Sequence, residues 1–498
     1  MKRLIVIVFI IFGAFLTFSL YRTLAYDTSV VEETPSTTDL EYTFKIGNSS
    51  IKQITVDSGE TRYYDIVLGN PNNAKISYSV YYEMVSPSTK PDDYKIEYTS
   101  KSTGNSTGIV NNNGNITLNI VVTNTSSNAV TVKVGTVAGY VKGGELTLNS
   151  GQVVIPKTVF PKATYVVEHL DDGTSGDSGS GVYKIEHSLI PASSSATGSD
   201  IPATTDYRYY GANPNNYICL DMEGSSTCPD KHLYRIIGSI YEELEGTNRI
   251  KVIKATPLTD GTTSKFSWDY TSSNRYSNIW ATITSGNYSN SLTSGSQLMK
   301  LLNSGLWWNG ESGSYYNYNY SADALITQQV DFTNYKLSDM TKNSMSISRY
   351  YLGEYDGSKE MTTSQIFGLE RGKNRYDTNR PLYWDGMVGL IYPSDYYYTA
   401  GNNCVKNVNL ITGGLSTDCK LKSWIYNFNY NNGITMWTIM PCSQSAYNIL
   451  TINYQGYINY NEIVFGSYSV FSSFYLTSNT LITNGDGSLN NPYLITLE

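Results

Sequence analysis

Residues 384–398 read WDGMVGLIYPSDYYY, and this stretch marks the centre of a domain. The apolar run Met387–Tyr392 ends at Pro393, and it is too short for a helix and long enough for a covered strand. Three tyrosines close the stretch: Tyr396, Tyr397 and Tyr398. The pattern predicts a buried central strand, with a tyrosine-rich surface beginning where the strand stops.

The composition is that of a polar, weakly charged globular chain. Its 498 residues exceed what one hydrophobic core usually serves, so two or three domains are expected. The net charge of −8 offers no basic face to phosphates, which argues against nucleic-acid binding. Tyrosine is in excess, with 45 residues against 13 Phe and 7 Trp. Such a composition is typical of adaptable recognition surfaces, although codon bias toward A and T would produce it as well.

The amino terminus carries an export signal. Lys2 and Arg3 precede an apolar segment without charges, Leu4–Leu20, which predicts a signal anchor or a signal peptide within residues 1–25. A retained anchor would cross the membrane through residues 4–20 and leave the remainder outside, whereas cleavage would release a secreted protein. Residues 26–38 are acidic and rich in Ser and Thr, as in a short spacer.

Residues 39–156 alternate apolar and polar side chains between turn signals, which predicts an Ig-like β-sandwich. No cysteine lies in this region, so the sandwich must close without a disulfide. The predicted strands are Tyr42–Ile46, Ile51–Val56, Tyr63–Leu68, Ile76–Met84, Tyr94–Tyr98, Ile116–Val122, Val130–Val141 and Leu146–Ile155.

Residues 157–206 are rich in Gly, Ser, Thr and Pro, and they predict a flexible linker between domains. Two similar segments inside it contain Glu168-His169 and Glu186-His187. A paired metal site is one interpretation of these residues. Two small strands packed on a neighbour are the favoured alternative, because neither set has a recognised ligand spacing.

Residues 207–498 contain every tryptophan and every cysteine, so the large core and the function are expected there. The segments Leu233–Gly238 and Arg249–Ala255 predict a hairpin with a solvated acidic tip, Glu242–Gly246. Around Ser294–Leu302 the spacing predicts a helix. A second hairpin, between Tyr447 and Phe465, should turn at Gln455-Gly456.

The order of motifs in this region carries a resemblance. The motifs are GANPNNYICL, LYRIIG, FSWDY, VGLIYPSDYYY, MWTIMP and LITNGDGSLNNPYLI. Together they resemble uncharacterised exported proteins of gut Firmicutes and their relatives. The carboxyl domains of those proteins are similar to the C-type-lectin-like fold of formylglycine-generating enzymes. The resemblance implies a mostly β chain in which an α+β C-type-lectin-like domain occupies residues 207–498.

Two positions depart from the pattern of those proteins. Tyr234 replaces the tryptophan of their Leu-Trp-Arg-Ile-Ile-Gly motif. Residues 469–472 read Ser-Val-Phe-Ser in place of Gly-Val-Arg-Pro, so an arginine is lost. A site that depends on that arginine is therefore not expected here, while the final core strand remains plausible through Val470, Phe474 and Leu476.

Outside the cell, cysteines generally pair. Closeness in sequence favours Cys219 with Cys228 and Cys404 with Cys419, leaving Cys442 single. The enzymes named above need a reactive cysteine pair, so Cys442 could act as a nucleophile or a metal ligand. No second cysteine lies close to it in sequence, and a buried thiol is the commoner outcome. We therefore predict no enzymatic activity, no metal and no cofactor.

The chain is predicted to be a bacterial cell-surface binding or adhesion protein for extracellular glycans or proteins. Aromatic rings stack on sugars and phenols hydrogen-bond, so tyrosines and one tryptophan could form the binding face. The candidates are Tyr396, Tyr397, Tyr398, Trp437, Tyr447, Tyr454, Tyr457 and Tyr460. The alternatives are a structural envelope protein without a pocket and a redox or hydrolytic enzyme using Cys442.

Overall fold

The computed structural model describes the chain in two compact units, residues 1–159 and residues 160–498. The described residues are 41–47, 49–50, 52–99, 102–140, 146–157, 160–170, 179–270, 277–281, 295–355, 361–404 and 415–498. The predicted export segment 1–25 and spacer 26–38 lie outside them. Within the described residues, no helix has the length and apolar character needed to cross a membrane.

The first unit is built from strands alone across its described residues. They are β1 (Thr43–Ile46), β2 (Gln53–Val56), β3 (Glu60–Gly69), β4 (Ile76–Ser86), β5 (Tyr94–Tyr98), β6 (Thr107–Val110), β7 (Asn115–Asn124), β8 (Val130–Tyr140) and β9 (Gln152–Val154).

Two sheets share the core of the first unit. One has the order β1-β3-β7-β5, and the other has β2-β8-β4-β6 with β9 also on β4. Alternate side chains of both sheets, such as Ile66, Val80, Leu118 and Val132, are fully buried in one apolar cluster. The first unit is therefore mostly β, as predicted, with two sheets around one apolar cluster. The sequence missed β6, an edge strand whose TGIV segment has little alternation.

The second unit contains strands and short helices. Its strands are β10 (Gly181–His187), β11 (Thr204–Tyr210), β12 (Tyr217–Cys219), β13 (Leu233–Glu242), β14 (Thr247–Lys254), β15 (Phe266–Ser267), β16 (Ser312–Asn319), β17 (Ala324–Asp331), β18 (Met345–Ser346), β19 (Ser348–Tyr351), β20 (Tyr383–Gly386), β21 (Met436–Pro441), β22 (Asn448–Ile452), β23 (Ile458–Ile463), β24 (Ser467–Tyr468), β25 (Ser473–Leu476), β26 (Thr480–Asn484) and β27 (Tyr493–Leu497). Its helices are α1 (Ala163–Glu168), α2 (Gln297–Asn303), α3 (Leu306–Asn309), α4 (Asp339–Ser344), α5 (Thr363–Glu370), α6 (Pro393–Tyr398), α7 (Thr417–Leu421) and α8 (Trp424–Asn432).

The main sheet of this unit has the order β18-β25-β14-β13-β12-β27-β26, with β11 on β13 and β10 on β11. The predicted β13–β14 hairpin is confirmed, but its tip is not simply solvated. Glu242 is 2% exposed, and its carboxylate accepts backbone N–H groups of Leu244, Glu245 and Arg349. That carboxylate therefore ties the tip to β19.

The flexible linker predicted for residues 157–206 is wrong for its described part. The second unit begins at Phe160, and α1, β10 and the start of β11 all lie within the predicted linker. β10 pairs with β11 along its whole length, from Gly181 with Tyr210 to His187 with Thr204. The favoured alternative, a small strand packed on a neighbour, is confirmed for the segment with Glu186-His187, which lies in β10, whereas Glu168 lies in the helix α1 and not in a strand.

The strand predicted over Met387–Tyr392 and the tyrosine-rich surface predicted after Pro393 are also wrong. The apolar run is buried, but β20 ends at Gly386, and Gly389 forms only an isolated bridge with Ser473. Residues 393–398 form α6, which begins with proline at its first turn and has Asp395 two residues later. The Asp395 carboxylate accepts the backbone N–H of Tyr392 at 3.0 Å and so satisfies a group at the helix start. Every residue of α6 is buried.

Three local predictions are confirmed. Disulfides join Cys219 to Cys228 and Cys404 to Cys419, and Cys442 is buried outside both. A helix covers the QLMKLL segment, with Ser296 as its N-cap, whereas Ser294 lies outside the described residues. The β22–β23 hairpin turns through Gly456, whose φ of +78° favours glycine.

Candidate functional site

The predicted aromatic face does not form as a surface. Tyr396, Tyr397 and Tyr398 are 0%, 0% and 3% exposed, and Trp437 is 0% exposed. The Tyr396 hydroxyl donates to the Gly456 carbonyl at 3.0 Å. These four rings therefore belong to the core, and the prediction that they face the outside is wrong.

The other four aromatic residues are spread over the β22–β23 hairpin. Tyr447 and Tyr454 are 49% and 44% exposed. Tyr457 is half-buried, with the Lys420 ammonium 3.5 Å from the centre of its ring. Tyr460 packs partly buried against the core. Alternation along the hairpin thus divides the rings between two faces.

A buried charge network ties α6 to the main sheet. Arg208 on β11 donates to Asp206 from Nε at 3.0 Å and Nη2 at 2.8 Å, and from Nη1 to Asp395 at 2.7 Å. Lys251 on β14 donates to the second oxygen of Asp395 at 2.6 Å. All four side chains are 1–2% exposed. Burial alone would raise the pKa of Asp395, but Lys251 and Arg208 outweigh it and lower that pKa to about 2.

His187 connects this network to a pocket. Its Nε2 lies 3.0 Å from Asp206 Oδ2. Asp206 keeps its charge because Arg208 and His187 outweigh the effect of burial and hold its pKa well below the usual range. A carboxylate only accepts, so Nε2 carries the proton and donates, which leaves Nδ1 as an acceptor. Burial lowers the pKa of His187, which favours this neutral ring.

The pocket, hereafter the His187 pocket, is a small cavity of about 20 Å³. Its polar lining includes His187, Glu243, Arg349, Tyr351 and Arg371. They come from β10, the β13–β14 tip, β19 and the residue after α5. Long-range packing therefore brings together side chains that are far apart in sequence.

Three buried polar atoms of these residues have no hydrogen-bond partner among the described residues. They are His187 Nδ1, Glu243 Oε2 and the Tyr351 hydroxyl. Buried polar groups are nearly always hydrogen-bonded, since an unmade bond costs about 1–3 kcal/mol. All three atoms belong to residues that line the His187 pocket.

Two guanidinium groups flank those atoms and are already partly committed. Arg349 donates to both oxygens of Asp385, at 2.8 and 2.9 Å, and its Nη1 lies 3.8 Å from Glu243. Arg371 donates through Nη1 to Glu370 and to the Phe367 carbonyl, both at 3.3 Å. Burial raises the pKa of Glu243. The pocket thus presents donors and acceptors together, without a single dominant charge.

Sequence reasoning did not assemble this site. It noted His187 as a conceivable metal ligand and placed Glu243 on a solvated turn, and it gave no role to Arg349, Tyr351 or Arg371. The available signal was charge inside strand-like segments, as for Arg208 in YRYY and Lys251 in IKVIK. Ionic side chains at such positions need buried partners.

The alternative metal site has no support among the described residues, where no group of three or more His, Cys, Asp or Glu side chains could hold an ion. Glu168 accepts a hydrogen bond from Ser239 at 2.7 Å, whereas His187 bonds Asp206.

Comparisons with known proteins found no matching family model, no similar curated protein and no similar solved structure.

Glu370, beside the pocket, should give the second unit a distinctive pH dependence. Burial raises its pKa from 4.5 to about 7, although Arg371 and Ser394 oppose the shift. A carboxyl with a raised pKa stabilises the folded chain below 4.5, and this stabilisation is lost as the pH rises through 7. As the pH rises from 5 to 8, we expect the unfolding free energy of the unmodified chain to fall by about 2 kcal/mol more than that of Glu370→Gln, because glutamine does not ionise.

The measurement is urea unfolding at several pH values, followed by tryptophan fluorescence. Every tryptophan lies after residue 207, so the signal reports the second unit alone. Glu311→Gln is the control, because Glu311 is exposed. Parallel curves for Glu370→Gln and the unmodified chain would show that Glu370 is ionised throughout this range.

Proposed function

We propose that this chain is a bacterial cell-surface protein that binds neutral glycans through the His187 pocket. The observation that carries the proposal is a set of three unpartnered polar atoms on residues that line one pocket: His187 Nδ1, Glu243 Oε2 and the Tyr351 hydroxyl. The first unit would serve as an Ig-like spacer and the second as a lectin-like domain. An export segment in residues 1–25 would place both outside the cell as a membrane-anchored or secreted protein, and the two disulfides support that setting.

The chemistry of the pocket favours hydroxyl groups. His187 Nδ1 and the Glu243 carboxylate accept hydrogen bonds, whereas the Tyr351 hydroxyl both donates and accepts. A ligand must therefore donate at two neighbouring points and accept at others. Adjacent hydroxyls of a sugar ring do both, since each hydroxyl has one donor hydrogen and two acceptor lone pairs.

Charge and shape narrow the ligand further. Arg349 and Arg371 disfavour a cation, and Glu243 together with the buried Glu242 disfavours an anion. The rings of Tyr241, Tyr392 and Tyr475 also line the pocket, and aromatic faces pack against the apolar faces of sugars. A neutral sugar at the end of a glycan satisfies both conditions, and only an edge of that sugar needs to enter.

The proposal can be tested by a glycan array probed with the purified full chain, followed by calorimetry with the glycans that bind. We expect Tyr351→Phe to weaken binding by about tenfold or more, because it removes one hydrogen bond of roughly 1.5 kcal/mol in a desolvated site. Glu243→Gln should also weaken binding, because it replaces one acceptor oxygen with a donor NH₂. Tyr447→Phe is the matched control, since it removes a tyrosine hydroxyl from the exposed hairpin instead of from the pocket.

Each result has a distinct meaning. Loss of binding with Tyr447→Phe but not with the pocket variants would place the binding site on the β22–β23 hairpin. Binding of proteins but not glycans would replace the sugar with a protein ligand. Absence of any ligand would favour a structural envelope protein. An activity abolished by alkylation of Cys442 would favour the enzyme alternative.

A further inference from the structure

Arg235 on β13 is a buried cation whose contacts are all with neutral groups. It is 5% exposed, and the central carbon of its guanidinium lies 4.5 Å from the centre of the Tyr217 ring and 4.2 Å from that of Trp424. Nε donates to Asn216 Oδ1 at 2.8 Å, and Nη2 donates to the Pro214 carbonyl at 3.4 Å. Three of its five N–H donors therefore have no partner among the described residues.

The other buried arginines of the described residues each have a carboxylate at ion-pair distance. Arg208 has Asp206 and Asp395, Arg249 has Glu245, Arg371 has Glu370, and Arg380 has Glu354. Arg235 forms no such pair with any described residue, and burial lowers its pKa to about 10. A buried charge without a partner is strongly unfavourable, and cation–π contacts of about 2 kcal/mol offset only part of that.

Lys254 on β14 is a second buried cation without an anion. It is 6% exposed, and its ammonium donates to the carbonyls of Asp230 and Leu233. No carboxylate of a described residue lies at ion-pair distance from it, whereas Lys251 on the same strand has Asp395. Burial lowers the pKa of Lys254 to about 8, so the side chain is still charged at neutral pH. Two positive charges are thus left uncompensated in one part of the second unit.

Arg235 and Lys254 both line one small cavity of about 20 Å³, hereafter the Arg235 pocket. The rest of its wall is mostly apolar and includes Ile253, Trp424, Phe428, Met436 and Phe471. This volume holds about one or two water molecules. A carboxylic acid with an apolar body, a phosphate or a sulfate is therefore too large for the pocket, and only a ligand close to water in size fits.

Asn429 on α8 adds an unpartnered polar group to the same wall. The side chain is 1% exposed, and its Nδ2 contacts the Met436 sulfur at 3.2 Å. Its Oδ1 has no hydrogen-bond partner among the described residues. The two orientations of a side-chain amide have nearly the same shape, so a flip would put the donor NH₂ where the unpaired oxygen lies. Asn429 can thus supply a second set of N–H donors to a ligand in the pocket.

We propose that the Arg235 pocket binds a single halide ion, and that chloride is its natural occupant. A monatomic halide is only slightly larger than a water molecule, so the room that excludes larger anions admits it. It accepts hydrogen bonds from several directions at once, and Arg235 and Asn429 both have donors to offer.

The charges of the site also favour an anion over water. A negative ion compensates the guanidinium directly, and the Lys254 ammonium attracts it through space, because charges interact strongly in apolar surroundings. The ion would connect β13 to α8 and so act as a structural ion of the second unit. This site is separate from the His187 pocket and does not depend on glycan binding.

Urea unfolding of the purified full chain in sodium chloride and in sodium gluconate, at equal ionic strength, tests the proposal. Gluconate is too large for the pocket, so it serves as the reference salt. We expect the unfolding midpoint to rise with chloride concentration relative to gluconate, because an ion that binds only the folded state stabilises that state. Equal midpoints in the two salts would overturn the proposal and would mean that water alone fills the pocket.

Two variants assign the effect to this site. Arg235→Met removes the main cation, and Asn429→Asp places a carboxylate in the wall that supplies the missing negative charge from within the chain. Both should lose the difference between chloride and gluconate. Lys265→Met is the control, because it removes an exposed cation of the same unit and should keep the full difference.

The line width of the chloride NMR signal gives a direct readout of binding. Exchange of chloride with a protein site broadens this signal, and we expect the broadening caused by the unmodified chain to fall at least twofold in Arg235→Met and in Asn429→Asp. Because Asn429→Asp hardly changes the shape of the side chain, it remains informative if Arg235→Met fails to fold. Unchanged broadening in Asn429→Asp would show that chloride binds elsewhere and would overturn the assignment.

Discussion

Replacing Asp395 by alanine is expected to lower the unfolding free energy of the second unit by about 3–5 kcal/mol. The side chain is 1% exposed and accepts hydrogen bonds from Arg208, from Lys251 and from the backbone of Tyr392. Without it, the Lys251 ammonium keeps its buried position but has no carboxylate within reach among the described residues. The loss is large because a buried cation must then stay desolvated without compensation.

Asp418→Ala is the matched control. Both aspartates lie in the first turn of a short helix, Asp395 in α6 and Asp418 in α7, so both interact with the helix dipole. Asp418 is exposed, and its removal should change stability by less than about 1 kcal/mol. Urea unfolding followed by tryptophan fluorescence measures both variants. Similar small changes in the two would mean that the network of Asp206, Arg208, Lys251 and Asp395 contributes little.

The parts of the fold that could be predicted are those fixed by neighbouring residues. The β13–β14 and β22–β23 hairpins follow from strand patterns on either side of a turn, and Gly456 supplies the backbone freedom that the second turn needs. The two disulfides join cysteines close in sequence. Local chemistry therefore specified these elements without knowledge of the rest of the chain.

The helix α6 shows where local chemistry was present but misread. Proline at its first turn and Asp395 two residues later are a helix-start signal. The preceding apolar run drew attention to a strand, and three consecutive tyrosines suggested a surface. Their burial depends on distant segments, such as the Gly456 turn that bonds Tyr396 and the Arg208 side chain over Tyr398. No periodic pattern within residues 393–398 indicates that distant segments cover these rings.

The candidate site was the least predictable part of the chain, because it also depends on contacts between distant segments. The five polar residues of the pocket share no sequence motif. Arg349 and Tyr351 both lie on β19, and the other three come from separate segments of the chain: His187, Glu243 and Arg371. His187 also lies in a stretch whose small polar residues predicted a linker. The pairing of β10 with β11 places its ring beside Asp206, and the hydrogen bond from the Arg349 backbone to Glu242 holds the hairpin tip where Glu243 faces Arg349.

Trp437→Ala should destabilise the second unit by about 3–5 kcal/mol. The indole on β21 is 0% exposed, and its Nε1 donates to the Phe266 carbonyl at 2.8 Å. Its ring packs against Tyr468 at 4.8 Å and Trp268 at 5.8 Å. Truncation leaves a cavity bounded by rigid rings and an unpaired carbonyl, so the surrounding residues can collapse only partly.

Tyr447→Ala is the control that compares an exposed ring with the buried ring of Trp437. Tyr447 belonged to the same predicted aromatic face, but it is 49% exposed, so its truncation should change stability by about 0.5 kcal/mol or less. Circular dichroism during urea unfolding compares the variants without relying on the indole that is removed. If Trp437→Ala were as stable as Tyr447→Ala, the indole could not be part of the core, and a binding role for this aromatic set would have to be reconsidered. If it is strongly destabilised, as the packing requires, the indole belongs to the core of the second unit.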